Sequence, residues 1–268
     1  MCGGGTATRP ASAARCRQTQ RGEDVTGSQF DELGQVYEES SGMAFRQGLE
    51  FPTVLGHLGD IGSQDILDFG CGSGVYSRLL ARRGARRIVG LDASEGMVDH
   101  CRRREEDEPL GVEYVAGTLP ERLHGAFDTV LGVYVLPHAE TYDALVAMCR
   151  AVAAALRPGG RFLTLPIHPD VHPDPDHYAR YGFRLDVSAR DDGAPVDFGF
   201  TVGEHSARFT ARYWTAASLE GALREAGFSA PRWRAHQVSE TAEPGPADDF
   251  WARYLTTPHA AVLDARKA

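Results

Sequence analysis

Several absences narrow the reading of this 268-residue chain before any motif is considered. No apolar run approaches the roughly 20 residues that a membrane-crossing helix needs, so no membrane partner is expected. The start, Met1-Cys2-Gly3-Gly4-Gly5, lacks the apolar segment of a secretory signal. Cysteine is sparse, and Cys2, Cys16, Cys71, Cys101 and Cys149 form no CxxC pair and no spacing with histidine that suits a metal. A reduced, cytoplasmic setting without a bound metal is the expectation. Positive charge is also short: Lys+Arg 28 against Asp+Glu 37 gives a net charge of -9, so no global field draws in nucleic acid or an acidic membrane surface.

What is present supports one substantial core, with 42% of residues hydrophobic. Residues 1–26 are rich in Gly, Ala, Thr and Arg without periodicity, and read as a disordered tail ahead of a single domain over 27–268. Phe30, Leu33, Val36 and Tyr37 recur at helical spacing, and Leu49, Val54, Leu55 and Leu58 follow, which makes residues 28–60 a helical cap. From Asp65 strands and helices alternate: strands at 65–69, 86–91, 111–115, 127–135 and 161–165, helices at 74–83, 94–104 and 140–156. That rhythm predicts an α/β fold whose parallel sheet is covered on both faces and binds ligands at the carboxyl ends of its strands.

Pro166, Pro169, Pro173 and Pro175 then interrupt the pattern, so the first part of 166–214 reads as loop. Residues 195–202 and 205–214 alternate as an antiparallel hairpin joined to the sheet domain, and the whole insertion is the expected lid over an acceptor. A helix capped by Thr215 and stopped at Gly227 follows. After it come a strand over Trp233–Val238, a short helix over Phe250–Leu255, and a last strand over Ala260–Ala265, antiparallel beside its predecessor.

The chemistry concentrates in Asp68-Phe69-Gly70-Cys71-Gly72-Ser73-Gly74, a glycine turn between a buried strand and a helix. A dinucleotide fingerprint needs a third glycine where this chain has Val75, and Asp68 repels a pyrophosphate but suits an ammonium group. Asp92, at the end of the next strand, can hold both hydroxyls of a ribose. A nucleoside that carries an amino acid and no phosphate satisfies both, and S-adenosylmethionine is such a molecule.

This turn, Gly90-Leu91-Asp92 and Leu156-Arg157-Pro158-Gly159-Gly160 together resemble the successive motifs of class I S-adenosylmethionine-dependent methyltransferases, over about residues 28–268. Val133-Tyr134-Val135-Leu136-Pro137-His138-Ala139, with Phe250-Trp251 and Lys267, resembles small-molecule methyltransferases of bacterial secondary metabolism, including the toxoflavin type. The resemblance implies a Rossmann-like, doubly wound seven-stranded sheet, S-adenosyl-L-methionine as methyl donor and S-adenosyl-L-homocysteine as product. It implies that Gly70 and Gly72 line the methionine part, Asp92 holds the ribose and Met97 packs on the adenine, with Cys71 and Ala93 also at the cofactor, while Tyr37 closes over the sulfonium. Where the family often has Gly-Asp after strand 3, this chain has Gly117-Thr118, so Thr118 and Leu119 must serve the adenine by backbone or hydroxyl.

On the acceptor side His138 is a candidate proton acceptor and Tyr134 a candidate positioning group, set against a loop histidine and ordinary strand packing. Tyr181, His205, Arg208 and Arg212 form a second candidate group that could grip a diphosphate or carboxylate, or else belong to a solvated strand face. His168, His172 and His177 read as lid rather than metal ligands. Methyl transfer to a small metabolite is the expected function. Carbon methylation of an isoprenoid diphosphate and a binding protein without turnover are the alternatives, and nitrogen, oxygen and carbon acceptors all stay open.

Overall fold

In the computed structural model residues 33–245 and 248–268 are described, together with Met1. The tail over 1–26 and the helical position of Phe30 lie outside the described residues. Five parallel strands, β1 (Asp65–Phe69), β2 (Arg87–Asp92), β3 (Glu113–Ala116), β4 (Phe127–Val133) and β5 (Leu156–Leu165), form most of a seven-stranded sheet. A separate sheet of three antiparallel strands comprises β6 (Phe183–Val187), β7 (Pro195–Val202) and β8 (His205–Arg212). The main sheet is completed by β9 (Phe228–Arg234) and β10 (Val262–Lys267) in the order β3-β2-β1-β4-β5-β10-β9, with β10 antiparallel to both of its neighbours. This is the Rossmann-like, doubly wound arrangement expected.

Helices α1 (Gly34–Ser40), α2 (Phe51–Leu58), α3 (Val75–Arg82) and α4 (Glu95–Asp107) precede the middle of the sheet in sequence or connect its first strands; α5 (Tyr142–Ala155), α6 (Ala216–Glu225) and α7 (Asp249–Thr256) follow. Successive strand residues face opposite sides, so Ile66 packs with Val54 and Leu58 of α2, Leu80 of α3 and Val98 of α4. Leu67 packs on the other side with Leu145, Cys149 and Val152 of α5 and Leu219 and Leu223 of α6. The short β1 is therefore apolar without interruption because both its faces are covered.

Four details depart from the sequence reading. Residues 183–187, read as loop behind the prolines, form β6, because Phe183, Leu185 and Val187 alternate with Arg184 and Asp186 and need a partner for their apolar face. The expected hairpin is present and pairs with β6 in a sheet of its own, and β8 stops at Arg212 rather than Trp214. The strand expected at Trp233 begins at Phe228, directly after Gly227, whose φ of +87° turns the chain out of α6 in a single step. Pro231 is tolerated within it because β9 is an edge strand. Finally, β4 ends at Val133 because Tyr134 adopts a φ of +56°, and it is the one non-glycine residue with positive φ among those described.

Ahead of α2 the chain makes a π-helical turn over Arg46–Glu50. Wide turns of this kind re-aim side chains at functional sites. Its middle residue, Gly48, is pressed against the fully buried Trp251 of α7, and a Cβ there would stand 2.6 Å from the indole. Gly48→Ala is expected to destabilise the protein by roughly 1–3 kcal/mol through overpacking, with about 2–4 °C of Tm lost per kcal/mol. Thermal unfolding of the variant measures this directly.

Candidate active site

The chain leaves β1 through Gly70, Gly72 and Gly74, with φ of +74°, +53° and +76°, and enters α3. Only glycine takes these angles without strain. Gly70 also has no room for more, since a Cβ would meet Val135 Cγ2 at 2.7 Å, whereas at Gly72 a Cβ would meet nothing within 4 Å. Backbone N–H groups of Gly70 and Cys71 donate to the Leu91 carbonyl at 2.7 and 3.0 Å, which ties the turn to β2. Asp92 then holds both sides: its Oδ2 accepts from Gly72 N at 2.8 Å and its Oδ1 from Ser94 N at 2.9 Å. Ser94 in turn caps α4 by accepting from Met97 N at 3.1 Å.

Asp68 lies beneath this turn, nearly fully buried, and Ser77 Oγ donates to it at 2.6 Å. Burial pushes its pKa up to about 6, and the neighbouring Asp92 adds to the rise while Ser77 and Arg78 oppose it. These groups line one cleft of about 650 Å³ at the carboxyl ends of the parallel strands. Ala93, Cys71 and Met97 share that lining, as do Ser94 and Gly117. Tyr37 closes it from α1, its ring edge-on to Phe200 at 5.8 Å and tilted against Phe209 at 6.1 Å. Thr118 and Leu119 do not line it: Thr118 is exposed and Leu119 packs against the α5 side of the core.

The cleft continues beneath the small sheet. Strand register places Phe183 opposite Phe200, and Phe198 opposite Phe209, so the aromatic rings of three strands share one face, and that face lines the cleft. Tyr134 and His138 are both there. Burial pushes the His138 pKa down to about 4, so the ring is neutral at ordinary pH and poorly matched to proton uptake. Tyr134 donates to Glu50 Oε2 at 2.7 Å and lies 3.2 Å from His259 Nε2. Glu50 also receives Arg46 Nε at 2.8 Å and Tyr76 Oη at 3.0 Å. Glu50, Arg46, Tyr76 and His259 all line the cleft, and sequence reading had missed them. Residues distant in sequence leave no periodic signal when they meet, and only the buried glutamate in an otherwise apolar helical pattern was a usable hint.

The second candidate group does not assemble. Tyr181 is buried, with its hydroxyl donating to the Phe250 carbonyl at 2.7 Å. Arg208 is exposed on the strand face opposite Phe209, and His205 lies 3.9 Å from Glu39 at the exposed tip of the hairpin. Of the four, Arg212 alone lines the cleft. The alternation of β8 separates Arg208 from the aromatic face, so a paired guanidinium grip on a diphosphate is not formed. His172 and His177 stack at 3.8 Å, and among the described residues no group of three metal-ligating side chains occurs. Among the same residues no helix is long and apolar enough to cross a membrane.

Because the Asp92 carboxylate joins the glycine turn to α4, Asp92→Asn is expected to set an amide N–H against one of two backbone donors. Roughly 1–3 kcal/mol of stability should be lost even without ligand, readable as a lower denaturation midpoint.

Residues 66–160 match the family described as methyltransferase domain. N-demethylindolmycin N-methyltransferase of Streptomyces griseus is 26% identical over 248 residues, covering 90% of this chain and 98% of that protein. Among solved structures, an S-adenosylmethionine dependent methyltransferase from Mesorhizobium loti superposes with TM-score 0.58 at 22% identity, over 85% of this chain and 99% of that one. The CcbJ methyltransferase from Streptomyces caelestis gives TM-score 0.61 at 18% identity, over 91% and 100%. The strand order agrees with these likenesses, which support an S-adenosylmethionine-dependent methyltransferase.

Proposed function

We propose that this enzyme methylates a small, flat, largely apolar metabolite, as part of secondary metabolism. The observation that carries the reading is the aromatic face of Phe183, Phe198, Phe200 and Phe209, which forms one continuous cleft with the glycine turn. A chamber lined this way favours an aromatic guest over a chain or a macromolecular loop. The full-length likeness to a protein named for methylating N-demethylindolmycin supports a small natural product as acceptor. The scattered positions of Tyr181, His205 and Arg208 give no support to an isoprenoid diphosphate.

The residues fit S-adenosylmethionine. Gly72 leaves open the space where a side chain would intrude, and Asp68 offers a buried carboxylate beside the turn for the α-ammonium group. Asp92 is the group for the ribose, Met97 and Ala93 for the adenine side, and Tyr37 for the sulfonium. Gly117, on the cleft, takes the place that Thr118 and Leu119 were expected to fill. When bound, S-adenosylmethionine supplies an electrophilic methyl group, so the chain's task is to hold a nucleophile in line and exclude water. The phenylalanines do both. Neutral His138 orients the acceptor rather than storing its proton, and Tyr134 is the second positioning group.

Calorimetric titration with S-adenosylhomocysteine, followed by mass spectrometry of a panel of aromatic amines and phenols incubated with S-adenosylmethionine, tests the reading; binding heat without any methylated product would point to a protein that only binds the cofactor. Ammonium recognition requires ionised Asp68. Affinity for S-adenosylhomocysteine should therefore be full above pH 6 and decline as pH falls through about 6, approaching tenfold per pH unit. Asp68→Asn should bind weakly at every pH and lose this dependence. Phe209→Ala should raise the acceptor KM by about tenfold or more, from the roughly 1.5–3 kcal/mol that a buried aromatic contributes. Its effect on S-adenosylhomocysteine affinity should be small.

A further inference from the structure

The acceptor side of the cleft contains a chain of buried hydrogen bonds whose protons can be placed by counting. Tyr134 has one phenolic proton. With Glu50 Oε2 at 2.7 Å, that proton lies toward the carboxylate. His259 Nε2, 3.2 Å from the same Tyr134 oxygen, must then be the donor in their contact. His259 is nearly fully buried among Phe45, Tyr178 and Phe183, and burial pushes its pKa down to about 3, so the ring carries a single proton. Its Nδ1 is consequently bare and accepts from Tyr254 Oη at 2.7 Å. Every proton points the same way, from Tyr254 to His259, from His259 to Tyr134, and from Tyr134 to Glu50. The Glu50 carboxylate ends the chain, held by Arg46 and Tyr76 on its other oxygen.

This direction limits what Tyr134 can offer a guest. Its proton is given to Glu50, one lone pair receives His259, and the second lone pair remains. A carbonyl, carboxylate or phosphate placed there would set acceptor against acceptor, beside an anionic glutamate.

We propose that Tyr134 receives a hydrogen bond from the methyl acceptor's own N–H or O–H, so that the substrate class is a protic nucleophile, an amine, ring N–H or phenol on a flat apolar frame, and that Glu50 takes the proton this nucleophile loses. The inference rests on the small-molecule methyl transfer proposed above and adds the acceptor's chemistry to it. The nucleophile's lone pair forms the new bond to the methyl carbon as the S–C bond breaks and its electrons stay on sulfur. The N–H or O–H proton moves to Tyr134 Oη, the phenol proton moves to Glu50 Oε2, and the resulting neutral glutamic acid returns its proton to solvent after product leaves. The carboxylate does the accepting and Tyr134 is the residue that touches substrate, so Glu50 and His259 are positioning and relay groups.

The probes are 2-naphthol and its methyl ether, 2-methoxynaphthalene, titrated calorimetrically into the protein saturated with S-adenosylhomocysteine. The naphthol is expected to bind about tenfold or more tightly than the ether, the value of one well-made hydrogen bond to a polarised group. In Tyr134→Phe, which leaves Arg46 and Tyr76 on Glu50, the ratio should collapse to within about twofold while S-adenosylhomocysteine binding is retained. Equal affinities in the wild-type protein, no binding of either probe, or a preference that survives Tyr134→Phe would overturn the proposal, and the wild-type contrast needs no variant to fold. Glu50→Gln cannot take up a proton, and with its amide oxygen held by Arg46 and Tyr76 its NH2 group faces Tyr134. Naphthol methylation should then fall by about a hundredfold in kcat; an undiminished kcat sinks the proton assignment. If S-adenosylhomocysteine itself gives no heat, the cofactor reading of the cleft fails first, whereas normal heat with undiscriminated probes defeats only the acceptor chemistry.

Discussion

The Asp92 carboxylate is the constraint on which the cleft depends. It is at the end of β2, and its two oxygens take backbone N–H groups from two different segments, the glycine turn and the start of α4. A loop with three positive-φ glycines has little to hold it by itself, because glycine loses more conformational freedom on ordering than any other residue. Charge-assisted hydrogen bonds to a carboxylate fixed by a buried strand offset that loss. The Gly70 and Cys71 bonds to Leu91 add a second attachment to the same strand.

Around this fixed turn the cleft divides electrostatically. The cofactor side contains two acidic residues, and burial of Asp68 keeps its charge sensitive to what lies nearby. The acceptor side is apolar, with one polar chain threaded through it. His138 and His259, both driven toward the neutral form by burial, carry no charge into the aromatic chamber. Glu50, buried beside it, is compensated by Arg46 at 2.8 Å, as a buried carboxylate must be. Tyr134 joins the halves: its positive φ turns the chain away from β4 just where Val135 packs on Gly70, so its place on the cleft is set by the same contact that shapes the glycine turn.

Much of this was legible in the residues. The uninterrupted apolar run of β1, the glycine spacing, Asp68, Asp92 and the alternation of strands with helices point to the parallel sheet and to a nucleoside without phosphates, because each is a local pattern with a local cause. The acceptor side was far less legible. Phe183, Leu185 and Val187 form a sound strand pattern, but the prolines before it masked its start. Arg208 and Arg212 looked like a pair from their spacing, yet only Arg212 lines the cleft, and the partners proposed for them lie elsewhere.

The sequence by itself determined the sheet, the cofactor turn and the methyl donor, since these follow from periods of 2 and 3.6 residues and from backbone angles that glycine alone adopts freely. Only the tertiary structure decided which side chains meet in the buried hydrogen-bond chain beside the cleft. Glu50, Tyr76, Tyr134, Tyr254 and His259 come from segments separated by up to about two hundred residues, and the hydrogen bonds that give them one direction exist only where burial removes water as a competing partner.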